Sequence, residues 1–277
     1  MVELSLALLV LVAALFHAIW NGLAKGSSDP LLGMTVVSCA GATCMGTAAL
    51  FLPFPAAPSW PFLAISTFVH VVYQLVLVRG YMLGDLSQVY PIARGMAPLG
   101  VAILAASTAG EVPSSLQALG LLLASGAIAM IGWSGRGASR EAVATAATTA
   151  VLIAVYTTLD GHGVRVAGSA WSYAAWVLFL HAIPIAAITA VLRRGRITEF
   201  LRNEGLRTAA GGVMAVTGYT IVLYAMSVSS MAAVAALRES SVVFAAFIGV
   251  RMLGEPFGRR RIVATIILAV GLGLIAN

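Results

Sequence analysis

Two arginines lie where a charge is hardest to place. Arg94 sits near the middle of an apolar run from about residue 86 to residue 108, and Arg238 sits inside a second, 230–252. An arginine at the centre of a membrane helix costs about 2.5–3.5 kcal/mol on insertion scales, so folding alone does not explain either. Guanidinium is a rigid fork of donors that suits carboxylate or phosphate. Two of them facing one dry cavity repel unless a carboxylate or an anionic ligand lies between them. The chemistry on offer is anion binding. The alternative is two structural ion pairs, for example with Glu239 or Asp160. Neighbouring helical residues point about 100° apart, so Glu239 is poorly placed to pair with Arg238 on its own helix.

Other polar groups recur at helical spacing. His17 and Asn21 are four apart with Trp20 beside them, and His70, Gln74, Leu77 and Tyr81 form a stripe with Tyr73 on its shoulder. Residues four apart share a helix face, and His or Gln at mid-depth does not face lipid alone. Such groups either line a cavity or hydrogen-bond between helices. Tyr90 and Tyr224 complete the candidate binding set of Arg94, Arg238, His17, Trp20, Asn21, Tyr73, Gln74, Tyr90 and Tyr224. Asp160, with Tyr156 one turn before it, and Glu239 are candidate proton-coupling groups. Gly161 and Gly163 predict a helix end, which would leave Asp160 free to sit in water at the membrane edge. His162 and His181 are open to either reading.

Pro91 and Pro98 flank Arg94, and each removes a helix hydrogen bond. Irregular backbone at membrane depth is tolerated only against protein or a water-filled cavity, which makes this pair a candidate gate or hinge. Glu111 and Glu255, beside Pro113 and Pro256, read as carboxylates favouring the N-terminus of the next helix. Gly22/Gly26 and Gly80/Gly84 read as close helix packing, and Lys25 as an anchor at the membrane edge.

The elements that position these groups are membrane helices. The 277 residues are 60% hydrophobic and only 9% charged, against about 25% charged in soluble domains. About ten spans of some 20 residues fit, placed at 3–24, 31–52, 60–83, 86–108, 113–133, 142–165, 170–192, 206–228, 230–252 and 259–276. The charged stretch 193–207 reads as a connection. The first 24 residues carry Glu3 and no Lys or Arg ahead of the apolar run, so they read as a mature helix and not a signal peptide. Cys39 and Cys44 lie five apart on different faces and indicate packing, with no metal site or disulfide framework. The net charge of +6 lies between apolar runs rather than on one polar face, which argues against nucleic acid. All Lys and Arg residues except Arg94, Arg238 and Arg165 fall in or beside the loops after spans 1, 3, 5, 7 and 9, a bias that predicts both termini outside.

The chain also repeats itself. Arg94 and Glu111 are separated by 17 positions, as are Arg238 and Glu255. Asn21-Gly22 matches Asp160-Gly161, Lys25 matches Arg165, and Tyr81 matches Tyr224 with a one-residue offset. Two five-helix repeats, 1–134 and 141–277, must insert with opposite topology because five is odd. That is the inverted-repeat plan of many secondary transporters, with the site at the midplane.

Val89-Tyr-Pro-Ile-Ala-Arg-Gly95 with Gly110-Glu111, and Leu237-Arg-Glu-Ser-Ser-Val-Val-Phe-Ala245 with Leu253-Gly-Glu255, resemble the drug/metabolite transporter superfamily and its EamA-like ten-helix branch. The resemblance implies an all-α integral membrane protein of the cell (cytoplasmic or inner) membrane. It also implies a central cavity lined mainly by spans 1, 3, 4, 6, 8 and 9, with Arg94 and Arg238 among its residues and spans 5 and 10 at the periphery. Pro91 and Pro98 have no counterparts around Arg238, so the halves need not bind ligand symmetrically. The expected function is secondary active transport, by alternating access, of a small polar metabolite, anionic or zwitterionic. The alternative is efflux of neutral or cationic amphiphiles with structural arginines. The expected partners are the small-molecule substrate, the lipid bilayer, and protons or a counter-substrate, with the protein a monomer or homodimer. No cofactor is expected. No H-E-x-x-H, G-x-x-x-x-G-K or G-x-S-x-G motif appears, which weighs against an enzyme.

Overall fold

A computed structural model describes residues 3–84, 86–133, 139–244 and 259–276. They form α1 (Leu4–Lys25), α2 (Pro30–Ala49), α3 (Trp60–Leu83), α4 (Leu86–Gly95), α5 (Ala97–Ala109) and α6 (Ser115–Trp133). The second half supplies α7 (Arg140–Val166), α8 (Ala170–Leu180), α9 (Ala182–Leu192), α10 (Ile197–Val228), α11 (Met231–Arg238) and α12 (Arg259–Ala276). The described residues contain no strand. Among the described residues seven stretches are long and apolar enough to cross a membrane: Leu4–Lys25, Pro30–Ala49, Ala57–Leu83, Ile92–Ala109, Arg140–Val166, Ala170–Leu192 and Ile197–Val228. Ser115–Met130 and Ile266–Ile275 are shorter apolar helices. Glu255 and Pro256 lie outside the described residues.

Two helix boundaries differ from those the sequence predicts. The stretch 193–207 was expected to be a connection, yet α10 starts at Ile197 and carries Glu199 in its first turn. Glu, Arg and Leu are good helix formers whatever their polarity, and a carboxylate near the N-terminus favours the helix dipole. Gly161 and Gly163 do not end α7, which continues to Val166 with Asp160 completely buried. Both glycines instead admit a neighbour. A Cβ on Gly161 would come within 2.8 Å of Met231 Cγ, and one on Gly163 within 2.5 Å of Tyr173 Cζ.

Helix breaks fall beside both arginines. The helix runs through Pro91, stops at Gly95 and resumes at Ala97, with Pro98 in the first turn of α5, where a missing N–H costs nothing. On the other side α11 stops at Arg238 and Glu239-Ser240 form a turn closed by Glu239 N–H to Ala236 O and Ser240 N–H to Leu237 O. Each arginine thus occupies the last turn of a short helix, where a cation meets the negative end of the dipole. The second break is sealed inside protein, with Glu239 and Ser240 buried, whereas Met96 at the first is half exposed.

Close packing fixes the bundle. Among the described elements α6 packs on α12, α3 on α7, α1 on α10, α2 on α10 and α8, α5 on α7, and α1 on α11. A Cβ on Gly120 would lie 2.6 Å from Gly271 O, and one on Gly212 2.5 Å from Val37 O. Backbones therefore touch at the α6–α12 and α2–α10 crossings, where small residues permit the approach.

Polar ties close both ends. At one end Lys25 Nζ donates to the carbonyls of Tyr81 and Gly84, Arg79 pairs with Glu141 at 2.6 Å, and Ser28 Oγ donates to Glu204. Asp29 joins three elements here. It accepts from Leu31 and Leu32 N–H at the start of α2 and from Arg193 Nε at 2.7 Å and Arg196 Nη1 at 3.0 Å. At the opposite end Arg165 pairs with Glu111 at 2.5 Å and donates to Met226 O and Ser229 O. Glu111 was expected to favour the next helix, α6. Its carboxylate instead accepts the Met231 N–H at 2.8 Å and caps α11.

Burial works against the charge of Asp29, but the hydrogen bonds from Arg193, Leu32 and Leu31 outweigh it and hold the carboxyl below the usual carboxylate range. A lowered native value adds stability above the unfolded pKa, about 3.9, and loses it as pH falls through the native value. The thermal unfolding midpoint should therefore fall with pH below about 4. That component should vanish in Asp29→Asn, which keeps a capping oxygen, whereas Asp29→Ala should lose about 1 kcal/mol more with the cap.

Candidate functional site

The site is assembled from α1, α2, α3, α7, α10, α11 and the α8–α9 break. Arg94 Nε and Nη2 donate to Glu239 Oε2 and Oε1 at 3.1 and 2.6 Å, a forked pair with both side chains 2% exposed. It joins α4 to the turn after α11. Glu239 thus belongs to Arg94 on the facing helix, which is one of the two structural pairings the sequence allows. Arg238, also buried, has no carboxylate partner among the described residues. Its Nη2 donates to Tyr156 Oη at 3.2 Å, and the guanidinium lies 5.6 Å from the Tyr219 ring centroid. Arg238 Nε and Nη1, Arg94 Nη1 and His17 Nε2 are buried without a hydrogen-bond partner.

A cavity of about 70 Å³ lies beside this cluster, with His17, Trp20, Tyr73, Gln74, Tyr156 and Tyr219 among its walls. A smaller hollow of about 10 Å³ shares His17, Trp20 and Tyr219 with it and is lined by Arg238. Polar groups and aromatic rings line a wall that Met34, Val37, Leu178 and Val216 complete with apolar surface, the composition expected of a small-molecule site. Ser38 Oγ donates to Gln74 Oε1 at 3.2 Å, and the His17 and Trp20 rings meet edge to face at 5.1 Å.

The other expected residues fall nearby or apart. Tyr90 is buried behind His17, their ring centroids 6.2 Å apart, and donates to Ser241 Oγ at 3.0 Å. Asn21 donates to His17 O at 2.8 Å within α1 and accepts from Tyr81 Oη at 2.6 Å, so its carbonyl oxygen ties α1 to α3. Tyr224 is placed apart, exposed and stacked on Trp171 at 6.0 Å. Asp160 accepts from Tyr173 Oη at 2.9 Å and Tyr219 Oη at 2.5 Å.

Tyr173, Tyr219 and Ser38 escaped the sequence reading, and His181 was left open. A signal exists for Tyr219, since tyrosines concentrate at membrane interfaces and this one lies well inside its run, whereas Tyr173 lies in the first turn of α8. The pairing of Tyr173 with Asp160 follows no helical period, because the two meet across the turn between α7 and α8.

A multi-pass helical membrane protein with a buried cationic cavity among its spans is the class this structure defines. The model of the EamA-like transporter family matches residues 140–277, and the chain belongs to that family. Members of this family are transporters. A crystal structure described only as that of a protein superposes with a TM-score of 0.72 over 98% of this chain and 96% of the other, at 18% identity, which shows a shared fold. A search of curated proteins found no match.

Breaking a buried ion pair by removing one partner costs about 3–5 kcal/mol, while replacing both by apolar groups is often neutral. Arg94→Gln and Glu239→Gln should each lower stability by that order, and Arg94→Met/Glu239→Leu by much less than their sum. Unfolding in mixed detergent micelles measures this, and additive losses would show that the two side chains are not coupled.

Proposed function

We propose that the protein is a secondary active transporter of a small polar metabolite with an anionic group, held at Arg238 between two inverted five-helix repeats, 1–134 and 141–277. On this reading ten spans cross the cell membrane, with α4–α5 as one broken span, α8–α9 as another, and α11 opening the ninth. The packing supports the repeat. Under a five-helix exchange the α3–α7 contact becomes α10–α1, α5–α7 becomes α11–α1, and α6–α12 maps onto itself, and all of these contacts occur. The paired breaks after Arg94 and Arg238 fit the same exchange.

The observation that carries the substrate assignment is Arg238, a buried guanidinium with two unpartnered donors beside the small hollow that adjoins the cavity. A buried charge without a counter-charge is costly, and a carboxylate or phosphate would satisfy both donors as a fork. Arg94 and Glu239 neutralise each other, which leaves the group a net single positive charge. Arg94 thus sets the position of Glu239 and offers the ligand only its Nη1. Trp20, Tyr73, Gln74 and Tyr156 would bind the rest of the molecule. Pro91 and Pro98 would mark the hinge on which alternating access turns. A second reading, neutral or cationic amphiphiles, draws on the tyrosine-rich wall, since aromatic faces attract cations.

Thermal unfolding of the purified protein with amino acids, carboxylates, phosphate and phosphonate esters, and lipophilic cations separates the two. A ligand at about 100 Kd adds about 2.7 kcal/mol of stability. Anions should stabilise wild type and fail to stabilise Arg238→Gln. Equal stabilisation of both by cations or neutral amphiphiles would instead select the second reading.

A further inference from the structure

His70 and Asp160 meet at the cavity wall without a role in holding Arg238. Ser66 O lies 3.0 Å from His70 Nδ1. Ser66 Oγ lies 3.1 Å from the same nitrogen, so the neutral ring holds its one hydrogen either on Nδ1, donated to the carbonyl, or on Nε2, turned to Asp160 while Nδ1 accepts from the hydroxyl. Nε2 lies 3.9 Å from Asp160 Oδ2. The carboxylate already accepts from Tyr173 and Tyr219. With the hydrogen on Nδ1 two acceptors confront each other in a buried site, and in either tautomer one added proton makes the ring a cation donating toward the carboxylate.

We propose that His70 and Asp160 share one exchangeable proton, and that Tyr219 links its uptake to the charge on Arg238. The surrounding groups support this. α3 contributes Tyr73, α7 contributes Tyr156 with its ring 4.1 Å from His70, and α8 contributes Tyr173. His181, at the α8–α9 break, lies 5.5 Å away ring to ring and has Nδ1 engaged by Val177 O. α10 contributes Tyr219, and α11 contributes Arg238, which contacts both Tyr156 and Tyr219. Asp160 is the sole carboxylate of this group and Arg238 its sole fixed cation, among the described residues. Tyr219 touches both. An anion on Arg238 cancels the positive charge that opposes the proton, so each ligand tightens the other by the same factor. The link between the two deepens the transporter reading, whereas the proton site itself needs no substrate to be tested.

The chain has four histidines, few enough for isotope-labelled histidine resonances to be assigned by substitution in nanodiscs. His70 Nε2 reports the proton whether it resides on the ring or on Asp160. Between about pH 5 and about pH 9 it should pass through one transition in wild type and in Glu239→Gln, and that transition should be lost in Asp160→Asn. Tyr219→Phe removes a donor to the carboxylate and should strengthen proton binding about threefold to tenfold. Arg238→Gln removes the opposing cation and should strengthen it about tenfold. A His70 signal that is flat across the range, or unchanged in Asp160→Asn, overturns the shared proton. An unchanged transition in Arg238→Gln overturns the link. The resonances of the other three histidines certify the fold, and Tyr219→Phe carries the test where Asp160→Asn does not fold. All arms are free of added ligand. A failed anion screen beside a titrating His70 therefore removes the transporter reading alone, and a flat His70 beside a successful screen removes the proton site alone.

Discussion

The forked bond between Arg94 and Glu239 ties together the two places where the membrane helices are broken. Each partner alone would be a buried charge in a medium of low dielectric, and each is held by the other at two points. The pair lets α4 end at Gly95 and α11 end at Arg238 inside the protein, because the charges beside the breaks are matched across the gap. Arg238 is pushed into its own position by the same arrangement. Its neighbour in sequence faces away toward Arg94, and its guanidinium turns instead to Tyr156 and the face of Tyr219.

That division of labour gives the two arginines different tasks. One is spent on structure and the other retains donors at the cavity. The asymmetry arises because individual side chains choose partners by distance, whatever the spacing of the two arginines in the sequence. The phenols act as the common material between the charged groups. Tyr156 and Tyr219 touch Arg238 and His70, and Tyr173 and Tyr219 touch Asp160. A phenol is bulky and apolar over most of its surface and polar at its tip, which suits a cavity that must be both packed and hydrogen-bonded.

The bundle ends show the same economy of charge. Where helices leave the apolar region, Asp29, Glu111, Lys25 and Arg165 satisfy backbone groups at helix ends, and Glu111 and Arg165 also pair with each other. Each is a carboxylate at a helix N-terminus or a cation at a C-terminal carbonyl, the pairing the helix dipole favours. These contacts cross between elements distant in the chain, so they hold the ends of the bundle together more than they hold individual helices.

Composition and hydropathy alone determined that the chain is a helical membrane protein, placed most of the helices within a few residues, and singled out Arg94 and Arg238. These properties are legible because burial in lipid is additive along the chain: every residue of a span meets the same apolar solvent, so a misplaced charge stands out without any knowledge of neighbours. The spacing of His17, His70, Tyr73 and Gln74 was legible for a related reason, since a helix face is a local property. Tertiary structure alone decided that Glu239 pairs with Arg94, that Asp160 is buried under Tyr173 and Tyr219, that Glu111 caps α11, and that Tyr224 stands apart on Trp171. Each of these depends on which side chain another helix brings within about 3 Å, a distance set by how backbones cross at Gly120, Gly212 and Gly271. Linear spacing carries no record of that crossing.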